Sequence, residues 1–341
     1  MTGPRGSPYA PAMPRTLLLT GGAGFIGSHL AERLAARGER VLVLDDFSTG
    51  RRSNLASLEG RPGFELFEGS ALDAELVRHL AARADGILHL AAAVGVRRIV
   101  ERPVETIVTN VEATRVVLEA AARRRTPVLF ASTSEVYGKS VAVPFREDAD
   151  VSLGPTTRSR WSYACSKALD EWLALAYRAE RGVPVRIARL FNVVGPRQTG
   201  RYGMVLPRLA GQALRGEPLT VFGDGRQTRS FAHVRDAVDA LVALLDEPRA
   251  EGEVVNVGSD EEVSILGLAE RVRAAAGSSS EIVLVPYDEA YTEGFEDMHR
   301  RVPDLAKLEQ LLGFRPRTPV DEAIRDVLAA QRLESTAIGK P

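Results

Sequence analysis

Residues 16–30 read TLLLTGGAGFIGSHL: an apolar run, then glycines at 21, 24 and 27, then a helical pattern over 25–37. Gly21, Gly24 and Gly27 take side chains away where a strand turns into a helix. A backbone stripped in this way can approach a pyrophosphate at the helix N-terminus, where free N–H groups and the helix dipole favour negative charge. Asp45 stands 18 residues beyond Gly27, at the end of the next apolar run, RVLVLD. A carboxylate there accepts hydrogen bonds from an adenosine ribose diol and repels a 2′-phosphate, so the pattern points to NAD over NADP. A turn that merely packs strand on helix would not need the acid in register.

The same alternation continues outward. Strand-like runs at 16–20, 40–45, 64–68, 85–90, 127–132 and 184–190 are separated by helical spacers. Runs this continuously apolar suit strands buried on both faces, joined by parallel crossovers. The expected fold is an α/β, doubly wound parallel sheet. Beyond 190, clusters such as GPRQTGRYG and FGDGRQ break the pattern and suggest a smaller mixed lobe. The expected organisation is a disordered tail at 1–15, a dinucleotide-binding domain at 16–190, a substrate lobe at 191–333 and a tail at 334–341. The chain is free to cross back between the lobes, and Met13 is an alternative start.

With 341 residues and 45% hydrophobic content there is enough for a large core. A net charge of −1 provides no field to draw nucleic acid or an anionic membrane, and no apolar run reaches membrane-span length. The lone Cys165 cannot form an internal disulfide, which suits a reducing cytoplasm. His29, His79, His89, His233 and His299 show no metal spacing, so no metal is expected, and His89 reads as a structural histidine.

The fifth run ends in ASTSEVYG, residues 131–138, and WSYACSKALDEWLALAY, 161–177, follows as a helix. Tyr163 and Lys167 are four apart and share a face. An ammonium beside a phenol lowers its pKa, and such a Tyr can take a proton from a substrate hydroxyl as hydride leaves. Thr133 can hydrogen-bond the same hydroxyl. An ordinary amphipathic helix would also show a Tyr and a Lys, but the chain has only four lysines among 44 basic residues. Arginine could not simply replace this one.

Residues 16–333 resemble an extended short-chain dehydrogenase/reductase of the nucleotide-sugar epimerase, decarboxylase and dehydratase kind. The motifs are TGGAGFIG, LDDFSTG, HLAA, STSEVYG, YACSK, RLFNVVGPRQ, PLTVFGDGRQTRSF and RRVPD. The resemblance implies Thr133, Tyr163 and Lys167 as the catalytic set, with Ser134 and Glu135 as further candidates. It implies an NAD site formed by Gly21, Gly24, Gly27, Asp45, Tyr163 and Lys167. Phe25, Ile26, Asp46, Ser48 and Gly50 border that site, and so do Ser70, Ala71, Leu90, Ala91 and Ala92. Ser70 departs from the family, which carries an acid there against the adenine. For a UDP-sugar the resemblance implies Asn192, Arg197 and Arg300, with Arg229 at the diphosphate and Val94, Val205 and Phe222 beside them. It also implies a homodimer built on helices 112–124 and 163–181.

Such enzymes share a 4-keto sugar intermediate and differ in its fate. Ser134-Glu135 replaces the Asp-Glu of 4,6-dehydratases. STSEVYG resembles UDP-glucuronate decarboxylases, whereas GPRQ, MVLPRL and GDGRQTRSF resemble UDP-hexose and UDP-hexuronate 4-epimerases. The expectation is an NAD-dependent 4-epimerase acting on UDP-glucuronate or UDP-glucose. The alternative is a UDP-glucuronate decarboxylase, and the remote one a non-catalytic NAD sensor, which Tyr163 and Lys167 oppose. An epimerase acting on a uronate would need Glu135 turned away or neutralised, because an ionised carboxylate facing the substrate favours loss of carbon dioxide.

Overall fold

The computed structural model describes residues 14–93, 102–200, 204–286 and 298–338; Val94 and the tail up to residue 13 lie outside them. In β1 (Thr16–Thr20) Leu17, Leu18 and Leu19 are all buried, so the strand has no solvent face. It lies inside a seven-stranded sheet with β2 (Arg40–Asp45), β3 (Phe64–Glu68), β4 (Gly86–His89), β5 (Val128–Thr133), β6 (Val185–Leu190) and β11 (Val254–Val257). The order is β3-β2-β1-β4-β5-β6-β11, and every pair is parallel. The order reverses between β1 and β4, which opens a crevice at the carboxyl ends of the strands.

Helices cover both faces. On one, α1 (Phe25–Ala36) and α6 (Val234–Asp246) bury Leu30, Leu34, Leu241 and Leu244 against the sheet. On the other, α2 (Ala74–Ala81), α3 (Pro103–Ala122) and α4 (Ser162–Arg181) bury Val77, Leu80, Val117 and Ala174. The smaller lobe gathers α5 (Val205–Arg215), α7 (Ile265–Ala276) and α9 (Val320–Ile338) around Leu206, Leu209, Leu268, Ile324 and Val327. Its short strands include β9 (Thr228–Ser230), which pairs with β12 (Glu262–Ser264) and β14 (Arg300–Arg301). Residue 190 is not a clean border. After entering the lobe the chain returns to lay α6 beside α1 and to pair β11 with β6, from Val254 opposite Ile187 to Val257 opposite Leu190. The last helix runs through Ile338, so residues 334–338 are helical where a tail was expected.

Two glycines close the first turn. Gly21 has φ +72°, and a Cβ there would lie 2.7 Å from the Ala91 nitrogen. A Cβ on Gly27 would lie 2.1 Å from the Gly21 carbonyl oxygen and 2.8 Å from the Gly22 Cα. Helix α1 therefore rests on the loop backbone itself. Gly27→Ala sets a helix-propensity gain of about 1 kcal/mol against that overlap. Overpacking costs about 1–3 kcal/mol, and here the obstacle is backbone that cannot rotate away. The variant is expected to melt several degrees lower and to bind NAD more weakly; an unchanged melt would show that the loop can give way.

Candidate active site

The crevice is a cavity of about 750 Å³ that runs from the glycine loop to the smaller lobe. At one end α1 starts at Gly24 with no side-chain cap and no acid in its first turn, and Phe25, Ile26 and Gly27 line the wall. An open helix N-terminus over a side-chain-free loop fits a dinucleotide pyrophosphate. Asp45 also lines the wall. Its carboxylate accepts the N–H of Ala23 and of Phe47, each at 2.8 Å, and burial raises its pKa against those bonds. The residue expected to receive a ribose thus also ties the glycine loop to the end of β2. Asp46, Ser48, Ser70, Ala71, Leu90, Ala91 and Ala92 line the same end. Gly50 does not: it packs behind, where a Cβ would come within 2.9 Å of Asp45 Oδ1.

At the other end β5 delivers Thr133, and a single 3-10 turn, Ser134–Tyr137, follows. The Thr133 hydroxyl bonds the Tyr163 phenol from the first turn of α4. Burial, then the charge of Glu135, pushes the Tyr163 pKa up. Lys167 is buried one turn on, with Nζ 3.3 Å from Asp170 Oδ2 and 3.9 Å from the Phe130 ring centre. The expected lowering of the phenol by this ammonium is not what the arrangement gives, because the ammonium is turned to Asp170.

Glu135 sits between two guanidiniums. Arg160 donates to Oε2 at 2.6 Å and Arg301 donates to Oε1. Burial raises the Glu135 pKa, but the two arginines outweigh it and hold it at about 2. Arg301 also donates to Asn192 Oδ1 at 2.6 Å, and Asn192 in turn donates to the Ser230 carbonyl at 2.8 Å. Ser134, Asn192, Val205, Phe222 and Arg229 all line the cavity. His89 is buried, bonded to the Thr20 hydroxyl at 2.7 Å, and held neutral at about 3 by burial and by Lys167.

Two expected contacts move. Arg300 does not reach the cavity: it is half exposed and pairs with Glu262 at 2.7 and 2.8 Å. On β14 successive side chains face opposite ways, so Arg301 is the one that enters. Arg197, in a left-handed turn with φ +70°, reaches back to Ser28 Oγ at 3.1 Å and Glu32 at 2.7 Å. It borders a separate smaller cavity. Arg160, Arg301 and Arg208, whose guanidinium stands 4.2 Å from the Phe222 ring centre, line the main cavity and were not singled out in the sequence. The signal for Arg160 was there: three residues before Tyr163, it sits one turn away on the same helical run.

A model of the NAD dependent epimerase/dehydratase family matches residues 17–258. The chain is 43% identical to a UDP-N-acetyl-alpha-D-glucosaminuronate decarboxylase of Bacillus cytotoxicus, over 93% of this chain and 97% of that protein. It is 37% identical to UDP-glucuronic acid decarboxylase 1 of Xenopus tropicalis, over 94% and 73%. Its fold matches a UDP-glucuronic acid 4-epimerase variant from Bacillus cereus, in complex with UDP-4-deoxy-4-fluoro-glucuronic acid and NAD, with TM-score 0.84, 29% identity and 94% and 99% coverage. These findings overturn the expected 4-epimerase: the relatives at 37–43% identity are decarboxylases, and the epimerase is similar at 29%. The criterion set for Glu135 did not separate the reactions, because Arg160 and Arg301 neutralise it and so meet the epimerase condition.

NAD is the cofactor. Asp45 is expected to make NADP bind about tenfold or more weakly than NAD, since an added phosphate would face a carboxylate in a half-closed cavity. Asp45→Asn, which keeps one acceptor for the loop, should narrow that ratio in calorimetric titrations of both cofactors. Equal affinities in the unaltered protein would remove the role given to Asp45.

Proposed function

The chain belongs to the NAD dependent epimerase/dehydratase family, and we propose that within it the reaction is decarboxylation of a UDP-hexuronate. The observation that carries this is the likeness, at 37–43% identity, to proteins named as UDP-uronate decarboxylases; the Arg160–Glu135–Arg301 cluster beside Thr133 and Tyr163 fits a sugar that bears a carboxylate. Two guanidiniums and one carboxylate leave one net positive charge where the sugar ring would lie. That charge recruits a carboxylate on the sugar.

The cavity end lined by Gly21, Gly24 and Asp45 would hold NAD, which when bound would supply reversible hydride acceptance at C4. Tyr163 is the group placed to take the C4 hydroxyl proton, and Thr133 holds the same oxygen. The product of that step is a β-keto acid. When carbon dioxide leaves C5, the negative charge moves to the C4 oxygen, where the Thr133 and Tyr163 hydroxyls receive it. Glu135, ionised at every working pH, competes with the sugar carboxylate for Arg160 and Arg301. That competition weakens the hold on the leaving group and favours its loss as a neutral molecule. C5 then takes a proton from solvent water, and Tyr163 returns its own proton to the C4 oxygen as C4 is reduced again.

Incubation with NAD and either UDP-N-acetylglucosaminuronate or UDP-glucuronate, followed by NMR, should yield the UDP-pentose or its 4-ketone. UDP-galacturonate as the product would sink the reading. Glu135→Gln and Arg301→Ala should each lower kcat by about 10²-fold or more. Arg300→Ala should stay within about twofold, because its partner Glu262 lies outside the cavity.

We also propose a homodimer. Val104, Ile107 and Val108 on α3 and Leu169 and Trp172 on α4 are exposed, Val104 by 74% and Trp172 by 61%. The two helices pack on each other, so these side chains form neighbouring stripes on one surface. The exposed α3 positions lie before the 112–124 segment first expected to pair. Trp172→Glu should shift the protein to monomer in sedimentation velocity, and a monomeric unaltered protein would refute the assembly.

A further inference from the structure

Two adjacent carboxylates of α4 stand behind Lys167, and their surroundings differ. Glu171 is taken: Arg189 on β6 donates Nε at 3.0 Å and Nη2 at 2.7 Å to it, and Ser132 on β5 donates its hydroxyl. Among the described residues Asp170 meets no guanidinium. It is 0% exposed, its cation is Lys167 Nζ at 3.3 Å, and neither of its carboxylate oxygens has a hydrogen-bond partner among the described residues. The other groups facing this pocket offer Lys167 no second counter-ion. His89 on β4 is neutral, Phe130 on β5 presents its ring, and Glu135 on the 3-10 turn is held by Arg160 and Arg301.

A buried ammonium without a counter-ion gives up its proton. We propose that Asp170 is a positioning residue for the Tyr163–Lys167 pair: its carboxylate keeps the Lys167 ammonium charged and anchored at the floor of the cleft. Burial lowers the Lys167 pKa, and Asp170 is the foremost group raising it back. Asp170 also raises Tyr163, after burial and Glu135. Its own carboxyl is pushed up to about 6 by burial, against the pull of Lys167. The proposal rests on the reading that the chain oxidises a sugar alcohol, not on which sugar it takes.

Asp170→Asn keeps the shape and removes the charge. Loss of a negative charge lowers the pKa of both neighbours, so both limbs of the pH–rate bell should move to lower pH together. The expected displacement is about one unit, with a lower maximum. The NAD affinity of the sugar-free protein, titrated from neutral to alkaline pH, should fall at correspondingly lower pH. Asp170→Glu, which restores the charge, should return both profiles toward the unaltered protein. A bell that loses height without moving, with an unmoved NAD titration, would make Asp170 a packing residue and overturn the proposal; so would Asp170→Glu behaving like Asp170→Asn. A shifted NAD titration in a protein that turns over no UDP-hexuronate would support the proposal and sink the decarboxylase reading instead.

Discussion

Every strand of the main sheet points the same way, so seven carboxyl ends share one edge. The site depends on that constraint. The glycine loop after β1, Asp45 at the end of β2, Ser70 after β3, Ala91 after β4 and Thr133 at the end of β5 come from distant points in the chain. They meet because the sheet lays their strands side by side in register. The sheet also determines where helix α1 points its N-terminus. Since Gly27 lets that helix sit directly on the loop, the positive end of its dipole is fixed to within the thickness of a backbone.

At the far end of the cavity the organising force is charge. Four buried or largely buried ion pairs surround the start of the helix that carries Tyr163: Glu135 with two arginines, Lys167 with Asp170, and Glu171 with Arg189. A buried pair gains little stability over a well-packed apolar one, because desolvation offsets attraction. Its value here is geometric. Glu171 with Arg189 ties helix α4 to β6, Lys167 with Asp170 lies within α4, and Glu135 joins the turn after β5 to the 3-10 turn that leads into α4 and to β14. Tyr137 on the same turn as Glu135 stacks on Phe145, 4.6 Å between centres, beside the point where Tyr163 meets Thr133.

Much of this was legible in the residues. The six strands of the first half stand within a residue or two of their apolar runs, because strands buried on both faces leave an unbroken hydrophobic signal. The glycine loop, Asp45 and the Thr133–Tyr163–Lys167 set could be placed because short-range spacing fixes them. Long-range pairing was not legible. β11 is four residues, VVNV, and its place at the sheet edge is decided by a partner more than sixty residues away. Arg300 was chosen over Arg301 because the alternation of a two-residue strand has no phase until its neighbour is known. Asp170 looked like any polar residue on a helix until α3 and β5 closed over it. The cations that reach Glu135 were not legible either, since they come from the 3-10 turn before α4 and from the far end of the chain.

The late arrival of β11 bears on how the chain is made. Until residue 257 has left the ribosome, β6 is an open edge, with Ile187, Ala188 and Leu190 in a row and no strand to take their backbone groups. Exposed parallel edges of this kind recruit other chains. The nucleotide-binding half is therefore complete as a sequence by residue 190 but not as a surface. Nascent protein carries an adhesive border through the synthesis of the whole 191–253 stretch. Any shortened form that ends in that interval inherits the same border permanently, so the boundary of the foldable unit lies far downstream of the last residue that touches the cofactor's end of the cleft.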